Sequence, residues 1–311
     1  MIYIVIIIIF IFVMGNWLFC RSEINKSRLQ QFDNYAVEKL IGKRIAVIGS
    51  GPGMYGVDAN ILGDEAVNLC VWPQNFKYDY RLIEDYHTCL QIGFTLIHVI
   101  SLLSFSENNY VYKTKFNLKY CNVLPHRKVD VASILYLGER YFPSILHPRD
   151  YIRFLRREGG MRGKRIITDL NENEKREKAL GILEGWKTTN EHLNNFHDVT
   201  QLEQIQEAIE ENIAYLKRLR LFCYDTGITY IPIIAPVCAE IRNGFSDEFL
   251  DGILYQPIKD SGCIDYIIDY LDDERFSNIS LYYDGLFLNE VGSKLLTEDL
   301  KGHFKRYKLD D

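Results

Sequence analysis

The chain has 311 residues, of which 47% are apolar and 25% charged, the balance of a folded globular protein and not of a disordered one. A formal net charge of −6 excludes a dedicated nucleic-acid binder, because phosphate contacts need a basic footprint. None of the seven cysteines stands in a CxxC pair and their number is odd, so no zinc knuckle, redox motif or closed disulfide framework is expected. No metal or cofactor is called for.

In chain order, residues 1–20 come first and carry no charge, with an unbroken apolar run from Ile2 to Val13. About 20 such residues in a helix cross a bilayer core. Trp17 would then sit at the interface, where its amphipathic ring is favoured. This predicts an N-terminal membrane anchor at 1–20, followed by one domain over 21–311. A cleaved signal peptide is the competing reading. Against it stand the missing basic lead and the bulky Trp17-Leu18-Phe19 where small residues belong. Arg21, Lys26 and Arg28 follow the span, which by the positive-inside tendency favours a cytoplasmic domain.

Gln30 to Leu40 reads as a lead-in helix. Five short apolar runs then read as strands: Arg44–Ser50, Ala66–Trp72, Phe94–Leu103, Ile228–Ala235 and Ile279–Asp284. Near-continuous Val, Ile and aromatic runs describe parallel strands covered on both faces. The intervening stretches supply crossover helices, the clearest from Thr200 to Cys223, with Thr200 and Glu203 as a capping box. Glu290–Tyr307 reads as the last helix. Residues 107–199, after the third strand, form a long charged insertion, helical over Asn173–Asn190, that would serve as a lid or a partner surface. The abundant tyrosines fit either a sugar-binding cleft or ordinary packing, and packing is the commoner use.

The first strand runs into Gly49-Ser50-Gly51-Pro52-Gly53. One reading is a dinucleotide turn, in which glycines let the backbone approach a pyrophosphate. Against it, Met54 occupies the third glycine position, Gly56 and Gly63 interrupt the helix that should follow, and no acid closes the second strand. The other reading is a turn presenting the Ser50 hydroxyl at the carboxyl end of a strand, where such sheets bind ligands. Ser50 as a simple loop cap is the plain alternative.

Beyond the fifth run stands Tyr283-Asp284-Gly285-Leu286-Phe287-Leu288-Asn289-Glu290-Val291-Gly292. It resembles the D-x-x-H-L-N-x-x-G block that closes the SGNH/GDSL hydrolase-like proteins. There it follows the last strand and supplies the catalytic Asp and His. Gly49-Ser50-Gly51 with Tyr55-Gly56-Val57-Asp58 is similar to the G-S-S…Y-G-I-D turn of a bacterial branch associated with cell-surface polysaccharide synthesis and modification. Asn68-Leu69 and Gln74-Asn75 are similar to its second block, Ile100–Ser106 to its third strand and loop, and Pro232–Val237 to its fourth. The resemblance covers about Arg44 to Lys305 outside the insertion. It implies a flavodoxin-like three-layer α/β sandwich of about five parallel strands.

Two departures decide what that implies for chemistry. The nucleophile position holds Gly51 and the histidine position holds Phe287, which cannot accept a proton. No G-x-N-D string supplies the oxyanion asparagine. The resemblance therefore implies a degenerate catalytic set. Ser50 and Asp284 remain as catalytic candidates, and Gly49, Gly51, Asn68, Gln74, Asn75, Phe287 and Asn289 as binding positions. The implied partner is a glycan or acylated polysaccharide on the extracytoplasmic side. A second reading is an active esterase or acyltransferase using Ser50 with a histidine brought from elsewhere: His87, His98, His126, His147, His192, His197 or His303. His98, inside a strand, reads better as a satisfied core residue. A third is a nucleotide-binding enzyme at Gly49–Gly53. Asp272-Asp273-Glu274 reads as a solvated helix end sooner than a metal site. The basic stretch Arg153–Arg165 reads as an exposed helix end or an anionic-lipid or anionic-glycan contact. The Asn278 sequon is discounted because it abuts a buried run.

Overall fold

The computed structural model describes residues 2–106, 116–158, 170–189, 192–263 and 267–307, which divide into two compact units. One comprises Met1–Asp33 and Tyr112–Ile167, the other Asn34–Val111 and Thr168–Asp311. This differs from the expectation of a bare anchor on one domain. The first half of the insertion belongs with the N-terminal helices and the second half with the sheet.

The larger unit is built on five parallel strands, β1 (Ile45–Gly49), β2 (Ala66–Asn68), β3 (Thr95–Ile100), β4 (Thr229–Ile234) and β5 (Ile268–Asp269), in the order β2-β1-β3-β4-β5. Helices flank this sheet, so the α/β flavodoxin-like expectation holds. Ala46, Val47, Ile48, Leu96, Ile97, Ile233 and Ile234 are fully buried, as strands covered on both faces must be. Ile45 pairs with Ala66 on one side and Thr95 on the other, so the three strands run in step toward Gly49. The strand order reverses beside β1, where folds of this kind place their ligands.

The helix Gln206–Asp225 buries Ile209, Leu216, Leu219 and Cys223 at helical spacing. Its start differs from the expected capping box. Residues 199–205 wind as a 3-10 turn, and Asp198 takes the capping role by accepting from the Thr200 amide at 3.0 Å. Glu290–Tyr307 and Glu172–Thr189 are helical where the sequence predicts.

The fifth strand is a correction. Ile279–Leu281 is a 3-10 turn, and β5 is the two-residue Ile268–Asp269. The 279–284 run is apolar because it is buried, with Ile279 and Tyr282 at 2% and 0% exposure, and not because it pairs in the sheet. Asn278 accepts from the Ser280 amide at 2.9 Å, a local bond that competes with extended pairing.

In the smaller unit the N-terminal helix Ile2–Arg21 is 20 residues long and apolar enough to cross a membrane. Glu23–Leu29 follows, with Ser22 accepting from the Asn25 amide. Ser133–Tyr141, Pro143–Leu146 and Pro148–Leu155 are short helices, the last two begun by proline, whose missing N–H is an orphan there anyway. Phe19 is fully buried between the rings of Tyr151 and Phe154 at 5.5 and 5.8 Å. Asn16 donates to the Tyr141 carbonyl at 2.8 Å and accepts from the Ser144 hydroxyl at 2.6 Å. Glu139, with its side chain fully buried, pairs with Arg28 and accepts from His147 Nε2 at 2.7 Å. Burial alone would raise its carboxyl, but the His147 hydrogen bond and the Arg28 charge outweigh that and hold it below the usual range.

Candidate functional site

β1 ends at Gly49 with φ +136°, in close contact with β3: a side chain there would come within 2.5 Å of the Val99 carbonyl. Only glycine fits both demands. Ser50 is extended, and its carbonyl accepts from the Gly53 and Met54 amides, starting the short helix Gly51–Gly56. Beside it, residues beyond β2 keep bonding to β1, since Leu69 N donates to Val47 O and Val71 N to Gly49 O. This delivers Trp72 to the end of β1.

Gly51 lies under aromatic rings. A Cβ there would stand 2.6 Å from Phe287 Cε1 and 2.6 Å from Trp72 Cδ1. The Phe287 ring lies 4.9 Å from Tyr55 and 6.0 Å, edge-on, from Trp72, and Tyr283 adds an edge contact to Tyr55 at 6.4 Å. Phe287 is only 7% exposed. Gly51 and Phe287 are thus brought together, and the space between them is filled with carbon. Gly53 is spent in the same way, with Cys70 Sγ 2.6 Å from where its Cβ would be. The nucleotide reading draws no support from a turn whose open sides are already packed.

Asp284 holds the loop that carries Phe287. Its Oδ1 accepts from the amides of Leu286 and Phe287 at 3.1 and 3.0 Å, and Tyr283 N donates to Phe287 O at 2.9 Å. Gly285, at φ +94°, has room for no side chain against Ala179 on the helix Glu172–Thr189. The second half of the insertion therefore covers this loop. Asn289 caps the last helix by accepting from Val291 and Gly292, and donates to Ser280 O at 2.6 Å. Gly292 lets that helix approach the Leu281 carbonyl. Asp284, Asn289 and Gly292 all have structural work here.

The other binding positions are equally committed. Asn68 donates to the carbonyls of Gly53 and Val57 at 3.0 and 2.8 Å and accepts from Cys70 N. Asn75 caps the helix Phe76–Tyr86 by accepting from Tyr78 N. Ser50 Oγ, nearly buried, accepts from the Gln74 amide at 3.2 Å. The Gln74 side chain donates to Asp79 Oδ1 at 2.5 Å, and Asp79 Oδ2 meets His98 Nε2 at 3.2 Å. His98 Nδ1 lies 2.7 Å from the Tyr230 hydroxyl. Both ring nitrogens of His98 are thus hydrogen-bonded. Sequence reasoning passed over this Asp79–His98 pair, whose only signal is a histidine inside an apolar strand. It is a complete carboxylate–imidazole dyad, but the Gln74 amide, which is no base, separates it from Ser50.

The remaining histidines have other surroundings. His87 Nδ1 is 3.1 Å from Glu84 O, His192 Nδ1 is 3.2 Å from Gln204, and His303 Nε2 is 3.4 Å from Asp299. His197 is exposed, and His126 and His147 belong to the smaller unit. Burial first, and the Asp79 charge second, push the Cys70 thiol well above its usual value, so it is no nucleophile either. Asp272 and Asp273 are paired with Arg242 and Arg275 at 2.5 and 2.6 Å. Among the described residues no group of His, Cys, Asp and Glu is set to hold a metal. Arg162, Lys164 and Arg165 of the basic stretch lie outside the described residues. Comparison with family models, curated proteins and solved structures gives no significant match.

Proposed function

We propose that this chain is a membrane-tethered SGNH-hydrolase-like protein whose hydrolytic centre is rebuilt as an aromatic joint. In this reading it serves cell-surface polysaccharide assembly by binding a glycan or a glycan-modifying partner. One observation carries the loss of hydrolysis: the positions for nucleophile and base meet as Gly51 against Phe287 and Trp72. Neither ring can take a proton, and removing nucleophile or base alone already costs several orders of magnitude in hydrolysis. The rest of the closing block supports descent from such an enzyme, because Asp284, Asn289 and Gly292 keep the parts of the motif that shape the loop. The tether is the apolar helix Ile2–Arg21. The glycan class and the extracytoplasmic side rest on the motif resemblance.

The test is to mix the full chain in detergent with O-acetylated and de-acetylated polysaccharide, measuring retention and acetate release. Retention without acetate release is expected. Acetate release that stops in Ser50→Ala would replace this reading with an active esterase. No retention of either polysaccharide would remove the glycan assignment.

A further inference from the structure

The smaller unit carries apolar side chains that its own packing leaves uncovered. On the helix Ser133–Tyr141, Ile134, Leu137 and Tyr141 recur three and four residues apart and are exposed, Ile134 to 76%. Phe142, Ile145 and Leu155 extend the series through the next two helices. Single exposed apolar residues need no explanation, but a helical face of them marks an interaction surface.

The contacts of this segment fix its level along the anchor helix. Asn16 bonds to Tyr141 O and to the Ser144 hydroxyl, and the Phe142 ring stacks on Phe12 with centroids 6.5 Å apart and planes 12° from parallel. Residues 141–145 therefore run beside the apolar span between Phe12 and Asn16. The water-facing level is marked by Trp17, whose ring carries the Arg21 guanidinium 3.6 Å above it. Phe12 precedes Trp17 by five residues, or about 7.5 Å at 1.5 Å per helical residue. That depth falls inside the ~5–10 Å to which interfacial helices sink their apolar faces. Exposed Arg149, Arg156 and Arg157 follow immediately, suited to lipid phosphates.

We infer that residues 133–155 form an interfacial collar, lying in the headgroup–acyl boundary of a phospholipid bilayer and adding a second membrane contact to the span. The occupant of the exposed face is lipid, because the face is continuous with a helix that itself meets lipid. The collar also satisfies the amide of Asn16 next to the hydrocarbon. The inference rests on the reading of Ile2–Arg21 as a span.

The full chain is reconstituted at one copy per phospholipid nanodisc, and tryptophan is introduced as Ile145→Trp or Leu137→Trp, with Ile92→Trp, at 97% exposure in the α/β unit, as the water control. The emission added by each new tryptophan is quenched with lipid brominated on the upper acyl chain or with aqueous iodide. Bromolipid is expected to remove most of the emission at 145 and 137 while iodide leaves it, with the reverse at 92. Iodide quenching at 145 and 137 would overturn the collar, as would protection from both quenchers, which means protein covers the face. The emission lost in Trp17→Phe reports the anchor separately. Bromolipid quenching of Trp17 alone leaves the span standing without its collar.

Discussion

In the α/β unit, the segments that meet at the end of β1 are joined by rings. Gly51, Trp72 and Phe287 come from three separate stretches and touch through carbon. In the smaller unit, distant segments are joined by polar groups, with Arg28 and His147 closing on a buried Glu139 and Asn16 on Ser144. In the proposed reading the first joint stands where a hydrolase would keep its charged groups, and the second stands beside an apolar helix. A ring joint depends on area and shape, so it tolerates changes of pH and loses stability in proportion to the volume removed. An ionic joint is conditional on each partner, because a buried charge without its counter-ion is far worse than no charge at all.

The largest expected effect breaks the ionic joint. Arg28→Met leaves Glu139 buried and half-paired, which costs about 3–5 kcal/mol. Amide exchange should accelerate over 133–155 and not in β1, β3 or β4. Acceleration in both units alike would erase the distinction between the two joints. Next, Phe287→Ala empties the ring joint at a cost of about 3 kcal/mol, read as a lower urea midpoint for the α/β unit. Gly51→Ser should cost less, about 1–3 kcal/mol, since the new Cβ forces Phe287 and Trp72 apart. Paired with Phe287→Ala it should be far less than additive, because the cavity receives it. Full additivity would mean that the two positions do not share a space.

The smallest effect separates the joints by pH. The folded-state carboxyl of Glu139 lies below its unfolded value of about 4.3, so its contribution is complete above that pH and is lost as pH falls further. The size is on the order of 1.4 kcal/mol per unit of depression. On acidification from neutrality, the protection of the 133–155 amides relative to their intrinsic exchange should stay constant to about pH 5 and fall below about pH 4, ahead of the sheet. A loss of protection already between pH 7 and 5 would place the controlling group elsewhere.

The sheet was legible because β1, β3 and β4 are buried on both faces and therefore read as continuous apolar runs. β5 was not, since two paired residues make no period and the buried turn at 279–282 imitates a strand in composition. At the site, Gly51 and Phe287 were legible as a pair from two short motifs. Trp72, which completes the joint, carries no motif, and the Asp79–His98 pair depends on a side-chain path through Gln74 that no local pattern encodes. The division into units was hidden for a similar reason. Asn16, Arg28, Glu139 and His147 are over a hundred residues apart at the widest, and each alone reads as an ordinary surface residue.

The most direct test of the central claim is the intact mass of the full chain after exposure to a fluorophosphonate. An unshifted mass is predicted, because the Ser50 hydroxyl is bonded to the Gln74 amide, which is no base, and Gly51 has no hydroxyl. A single adduct that Ser50→Ala abolishes would contradict it.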